Sequence, residues 1–218
     1  MVLPNLNKLA VWAVTPNGIT LADKLADSLA NATVYVSQNL AHKRRSHILF
    51  ERLSVTVSEK FNRYTGHIFI MSTGIVVRVL APLIQNKFED PAVVVVDDLG
   101  RHAISLLSGH IGGANALTHE IALVIEADPV ITTATDINAV PAIDVIAVEN
   151  GFQIENPEAI KSVNMALLKK KRITVYDPAD LLGERLGFVR SEALLNVTRK
   201  IQDFLKRSEN KVTYLMQP

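Results

Sequence analysis

A chain of 218 residues with 48% hydrophobic and 21% charged side chains has the apolar material for one large or two small cores, which excludes a disordered polypeptide. Its 23 basic and 22 acidic residues leave a formal charge of +1, so no strong overall field draws it to nucleic acid or a membrane surface. The absence of cysteine excludes disulfides, thiol catalysis and thiolate metal sites.

The apolar run 9–14 is strand length, far too short for a membrane span or a signal core, and points to a cytoplasmic protein. Thr15-Pro16-Asn17-Gly18 ends it, Leu21, Leu25 and Leu29 then mark an amphipathic helix over 19–30, and a second strand at 33–36 completes a βαβ beginning. The basic clusters His42-Lys43-Arg44-Arg45 and Lys169-Lys170-Lys171-Arg172 are short and lack interleaved aromatics, the pattern of solvated loops and helix ends. A helix is predicted over 54–64 and a strand over 67–71, whose continuous apolar run suits a strand buried on both faces. Ser72-Thr73-Gly74 opens a helix that runs through Leu80 and stops near Pro82. Asp90-Pro91 precedes a β-branched strand at 92–96, and Asp97-Asp98-Leu99-Gly100 turns into another at 103–107. Ser108-Gly109-His110-Ile111-Gly112-Gly113-Ala114-Asn115 leads from there into a helix at 114–125, followed by a strand at 129–133.

Strands alternating with helices predict an α/β fold: a three-layer, mostly parallel, Rossmann-like sheet over residues 1–138. A smaller α/β region is expected over 139–218. Asn156-Pro157-Glu158 opens a helix there with Ile160, Val163, Leu167 and Leu168 on its apolar face, before a strand at 173–176 and a helix at 191–206. A cleft between the two regions would suit a large, flat ligand.

Ligands of such sheets bind outside the carboxyl ends of the strands, and the residues after each expected strand are polar here. Thr15 and Asn17, Ser72 to Gly74, Asp97-Asp98, Ser108 to Asn115, and Thr132, Thr133, Thr135 and Asp136 are therefore expected along one rim. A glycine-bearing helix start with unpaired N–H groups invites an anion, although the same glycines also serve a tight strand-to-helix turn. His110 suits acid–base chemistry or a structural hydrogen bond. Adjacent carboxylates in a strand point to opposite faces and no His or Cys supports Asp97-Asp98 at ligand spacing, so no protein-bound metal is expected. The glycines have neither G-x-G-x-x-G nor Walker spacing, which argues against a nucleotide-dependent enzyme.

Thr73-Gly74-Ile75-Val76-Val77-Arg78, Asp90-Pro91 with Ala92 to Asp97, Leu106-Leu107-Ser108-Gly109-His110 with Gly112-Gly113-Ala114-Asn115, and Ile131-Thr132-Thr133-Ala134-Thr135-Asp136 occur in this order. Together with Ile154-Glu155-Asn156-Pro157-Glu158 and Tyr176-Asp177-Pro178, they resemble the CbiG family of cobalamin-biosynthesis proteins. The resemblance implies a cobalt-precorrin-5A hydrolase that opens the δ-lactone of a ring-contracted tetrapyrrole with water and releases acetaldehyde. The cobalt would be carried by the substrate, with no cofactor of the protein's own. The alternative is a tetrapyrrole-binding or scaffold subunit that needs the C-terminal domain of full-length members, absent here, from a separate partner; a homodimer is also open. On residue chemistry, His110 is the expected acid–base group, with Asp98 or Asp136 as its carboxylate partner. Thr73, Gly74, Arg78, Ser108, Gly109, Gly112, Gly113, Asn115, Thr132, Thr133 and Thr135 would hold substrate carboxylates and oxyanions.

Overall fold

The computed structural model describes residues 6–40, 47–140, 142–149, 152–154 and 156–171, with the backbone of 216–217. The chain divides into two compact units, residues 1–132 and 133–218.

The first unit runs β1 (Leu9–Ala13), α1 (Pro16–Ser28), β2 (Ala32–Ser37), β3 (Ile48–Phe50), α2 (Leu53–Lys60), β4 (Gly66–Ile70), α3 (Thr73–Leu80), β5 (Ala92–Val96), β6 (His102–Leu107), α4 (Ala114–Ile125) and β7 (Asp128–Val130). Its seven strands lie in the order β3-β2-β1-β4-β5-β6-β7. The first five are parallel, as the continuous apolar runs of β1, β4 and β5 require of strands covered on both faces. Side-chain alternation divides the core by face. Leu9, Val11 and Ala13 pack with Ile19, Leu25, Leu117 and Ile121 of α1 and α4. Ala10 and Trp12 pack on the other side with Val57, Phe61, Val76 and Leu80, in and after α2 and in α3. The result is the expected three-layer, mostly parallel α/β sheet.

Local chemistry sets the element ends. Helix α1 begins at Pro16, three residues before its apolar periodicity, because Thr15 accepts the Gly18 N–H at 3.0 Å and Pro16 supplies a helical φ in the first turn. Strand β3, three residues long, carries no alternation that would announce it. The helix expected over 54–64 is α2 followed by a 3-10 turn at Phe61–Arg63. Strand β7 ends at Val130, which leaves Ile131 to Thr133 outside the sheet.

One reversal matters for function. Strand β6 pairs antiparallel with β5, Leu107 opposite Val93 and Ala103 opposite Val96. Only residues 97–101 join the two strands, and a parallel return needs a crossover of a dozen or more. Gly100 takes φ +68°, and Asp97 Oδ1 accepts the Leu99 N–H at 2.9 Å, so the turn closes. Strand β7 runs parallel to β6 and shares its reversed direction.

The second unit holds α5 (Ala134–Ile137), α6 (Ile143–Glu149), β8 (Gln153–Ile154), α7 (Ile160–Leu168) and β9 (Met216–Gln217), with β8 and β9 antiparallel. Asn164 of α7 donates to Asp144 at 2.9 Å and accepts the Ile143 N–H at 2.9 Å, tying α7 to the start of α6. The strand and helix expected at 173–176 and 191–206 lie outside the described residues. Among the described residues no helix is long and apolar enough to cross a membrane.

Candidate active site

The reversal of β6 separates residues that the sequence had placed on one rim. Segments after β1, β4 and β5 leave at the carboxyl edge of the parallel strands, whereas those after β6 and β7 leave at the amino edge. Five residues of strand, roughly 16 Å at 3.3 Å each, lie between the edges. Asp98 therefore cannot orient His110 or share a substrate atom with it, and that expected pairing is corrected.

At the carboxyl edge, strand order reverses between β1 and β4, and polar residues gather there. The Thr15 hydroxyl donates to Asp98 Oδ1 and the Asn17 amide to Oδ2 at 3.1 Å, so both oxygens of this carboxylate hold the start of α1. Desolvation pushes the Asp97 carboxyl up, but the N–H groups of His102 and Leu99 and the His102 ring outweigh it, and the group stays below the ordinary carboxylate range. Thr73 and Gly74 open α3, and Arg78 turns back to donate to the Gly74 carbonyl at 2.9 Å. Asp97, Asp98 and Arg78 are thus engaged in local structure.

At the amino edge, the segment from Ser108 to Asn115 forms a tightly wound loop before α4. The N–H groups of Gly113, Ala114 and Asn115 donate to the carbonyls of His110, Ser108 and Gly109 at 2.9, 3.1 and 2.9 Å. The Gly113 N–H, expected to bind an oxyanion, is thereby occupied. Ser108 sits at φ +57°, a left-handed conformation that costs a non-glycine residue of order 1 kcal/mol. Two bonds hold it: its hydroxyl donates to the Asp90 carbonyl at 2.9 Å and its own carbonyl takes Ala114. Gly112 packs on it so closely that a Cβ there would lie 2.4 Å from Ser108 Cβ. Asn115 is buried and its Oδ1 accepts the Ser105 hydroxyl at 2.6 Å, pinning the helix start to β6.

This loop borders a cavity of about 430 Å³. Its walls include Asn62 and Thr65 from before β4, Gln85, Glu89 and Asp90 from before β5, and Gly112 of the loop. None of these residues was expected except Gly112, because the carboxyl-edge rule directs attention to residues after each strand, whereas these precede theirs. The signal for them was the short β5–β6 link, which turns β6 and its loop toward that edge. His110 is half-buried, one residue before the cavity-lining Ile111 and Gly112.

Thr132, exposed, is the last residue of the first unit and lies beyond β7 on the amino-edge side. Thr133, Thr135 and Asp136 belong to the second unit. Thr133 caps α5, whose Ile137 N–H reaches its carbonyl at 3.1 Å, and Thr135 is buried with its hydroxyl 3.4 Å from Asp136 Oδ2.

Comparison with known proteins agrees with this arrangement of motifs. Residues 55–136 match the family model for the cobalamin synthesis G N-terminal region, and residues 141–212 the model for the cobalamin biosynthesis central region. A cobalt-precorrin-5A hydrolase from Salmonella typhimurium is 46% identical over 178 residues, covering 81% of this chain and 50% of the relative. One from Priestia megaterium is 36% identical over 170 residues, 76% of this chain and 46% of the relative. A solved cobalamin biosynthesis protein G homologue from Sulfolobus solfataricus is 25% identical with a TM-score of 0.48, covering 79% of this chain and 50% of that one. The chain spans about half the length of the curated relatives it matches.

Proposed function

We infer a function from one premise: the chain belongs to the CbiG family of cobalamin-synthesis proteins, of which it carries the N-terminal and central regions. It acts as a cobalt-precorrin-5A hydrolase, or as the part of one that binds the tetrapyrrole and opens its lactone. The observation that carries this reading is the loop from Ser108 to Gly113, held in a strained conformation at the mouth of a cavity within the region that matches the family.

His110 of this loop is the acid–base group. Water adds to the lactone carbonyl as His110 takes its proton; the ring C–O bond then breaks and the freed oxygen leaves as an alcohol, giving a carboxylate. In the second stage the alcohol loses its proton, its oxygen becomes the carbonyl of acetaldehyde as the adjoining carbon–carbon bond breaks, and the macrocycle carbon left behind takes a proton. The side-chain amides of Asn62 and Gln85 on the cavity wall supply donors for the oxyanion. Cobalt enters with the substrate, and the chain's own residues bind, orient and move protons.

Anaerobic incubation with cobalt-precorrin-5A tests this, following acetaldehyde and the corrinoid spectrum. Wild-type chain is expected to release acetaldehyde and His110→Ala to release none at an unchanged melting temperature. A spectral change without acetaldehyde from the wild type would instead identify a tetrapyrrole-binding subunit whose chemistry is completed by a separate partner.

A further inference from the structure

The cavity beside the loop meets charges of both signs. Glu89 and the buried Asp90 line it, and both Asp90 oxygens accept the Gln85 N–H, at 3.0 and 3.1 Å. Two lysines lie over its aromatic lining: Lys8 Nζ is 5.0 Å from the centroid of the Tyr64 ring, and Lys87 Nζ is 4.8 Å from that of Phe88. Both positions are tied to the cavity wall. The Thr65 hydroxyl donates to the Lys8 carbonyl at 3.0 Å and accepts the Lys8 N–H at 3.1 Å, and the Tyr64 hydroxyl lies 2.8 Å from that of Tyr35. Asn86 Oδ1 accepts the Phe88 N–H and the Asn86 carbonyl accepts the Asp90 N–H, each at 2.9 Å, which fixes the loop that carries Lys87.

Among the described residues neither ammonium group pairs with a carboxylate. A ring face attracts a cation without neutralising it, so each lysine keeps its charge and its donors for a further partner. Two groups expected to hold substrate anions are engaged elsewhere: Arg78 donates to the Gly74 carbonyl at the opposite edge, and the Gly113 N–H donates to the His110 carbonyl. Resting on the tetrapyrrole reading above, we propose that Lys8 and Lys87 are substrate-positioning residues that each hold a peripheral carboxylate of the macrocycle, while the Tyr64 and Phe88 rings take its apolar edge. Two anchors fix the rotation of a flat ligand, and so decide which part of its rim faces the loop from Ser108 to Gly113. Both lysines are exposed, so each contact is worth roughly two- to fivefold in affinity and is screened by salt.

Anaerobic titration of the chain with cobalt-precorrin-5A, read by the corrinoid spectrum, measures this contribution apart from turnover. Lys8→Gln and Lys87→Gln are each expected to raise Kd about two- to fivefold, and the double variant about four- to twentyfold. Lys→Arg at either position should restore binding, and added salt should weaken the wild type more than the double variant, effects that loss of ring packing alone would not produce. A double variant whose Kd and salt dependence match the wild type overturns the anchoring role and leaves the tetrapyrrole reading standing. Wild-type chain that does not bind cobalt-precorrin-5A overturns both. Binding that needs both lysines but releases no acetaldehyde supports the anchors and overturns hydrolysis by this chain alone.

Discussion

His67 is the most constrained titratable side chain described. It is fully buried on β4, accepts the Trp12 indole N–H on Nδ1 at 3.1 Å, donates from Nε2 to the Phe61 carbonyl at 2.9 Å, and stacks with Phe61 and Phe69. Burial lowers its pKa to about 4, against the raising effect of the Phe61 carbonyl. The unfolded chain therefore takes up a proton first as pH falls. The stability this residue contributes is complete above about pH 6.5 and is lost between there and about pH 4, to the extent of about 3 kcal/mol. Melting temperatures measured across that range should fall with pH in the wild type and less steeply in His67→Phe. Asp98 makes the contrasting case. Asp98→Ala loses its bonds to Thr15 and Asn17 and should cost about 1 kcal/mol in thermal unfolding while acetaldehyde release persists; loss of turnover at full stability would return Asp98 to the mechanism.

At the scale of elements, the β5–β6 hairpin decides where the chemistry lies. Five linking residues cannot carry a crossover, so β6 turns back and delivers the loop from Ser108 to Gly113 to the edge opposite Asp97 and Asp98. The loop then depends on close contact between backbone segments. Gly112→Ala would push a Cβ to 2.8 Å from the Ser108 carbonyl oxygen, which is rigid backbone already holding the Ala114 N–H. Such overpacking should cost about 2 kcal/mol in denaturant unfolding and reduce turnover more than Asp98→Ala does. Strand positions and most helices were readable from apolar runs. The pairing direction of β6 was also implicit in the link length, but periodicity within a strand says nothing about direction.

For the whole molecule, the first unit contains its own seven-stranded sheet with a hydrophobic cluster on each face. A fragment of residues 1–132 should accordingly unfold in a single cooperative transition with native-like circular dichroism. A fragment that shows no transition would mean that its core is completed by residues 133–218.

The sequence by itself determined the α/β class, the extent of most strands and helices, and the family, because these follow from local periodicity and from residues adjacent in the chain. It also singled out His110 and the glycine loop. Tertiary structure alone separated Asp98 from His110 and brought Asn62, Gln85 and Glu89 to the loop's cavity. The physical reason is that a sheet fixes each strand's neighbours and direction through hydrogen bonds between distant segments, and the side chains at one edge are set by those directions rather than by their order along the chain.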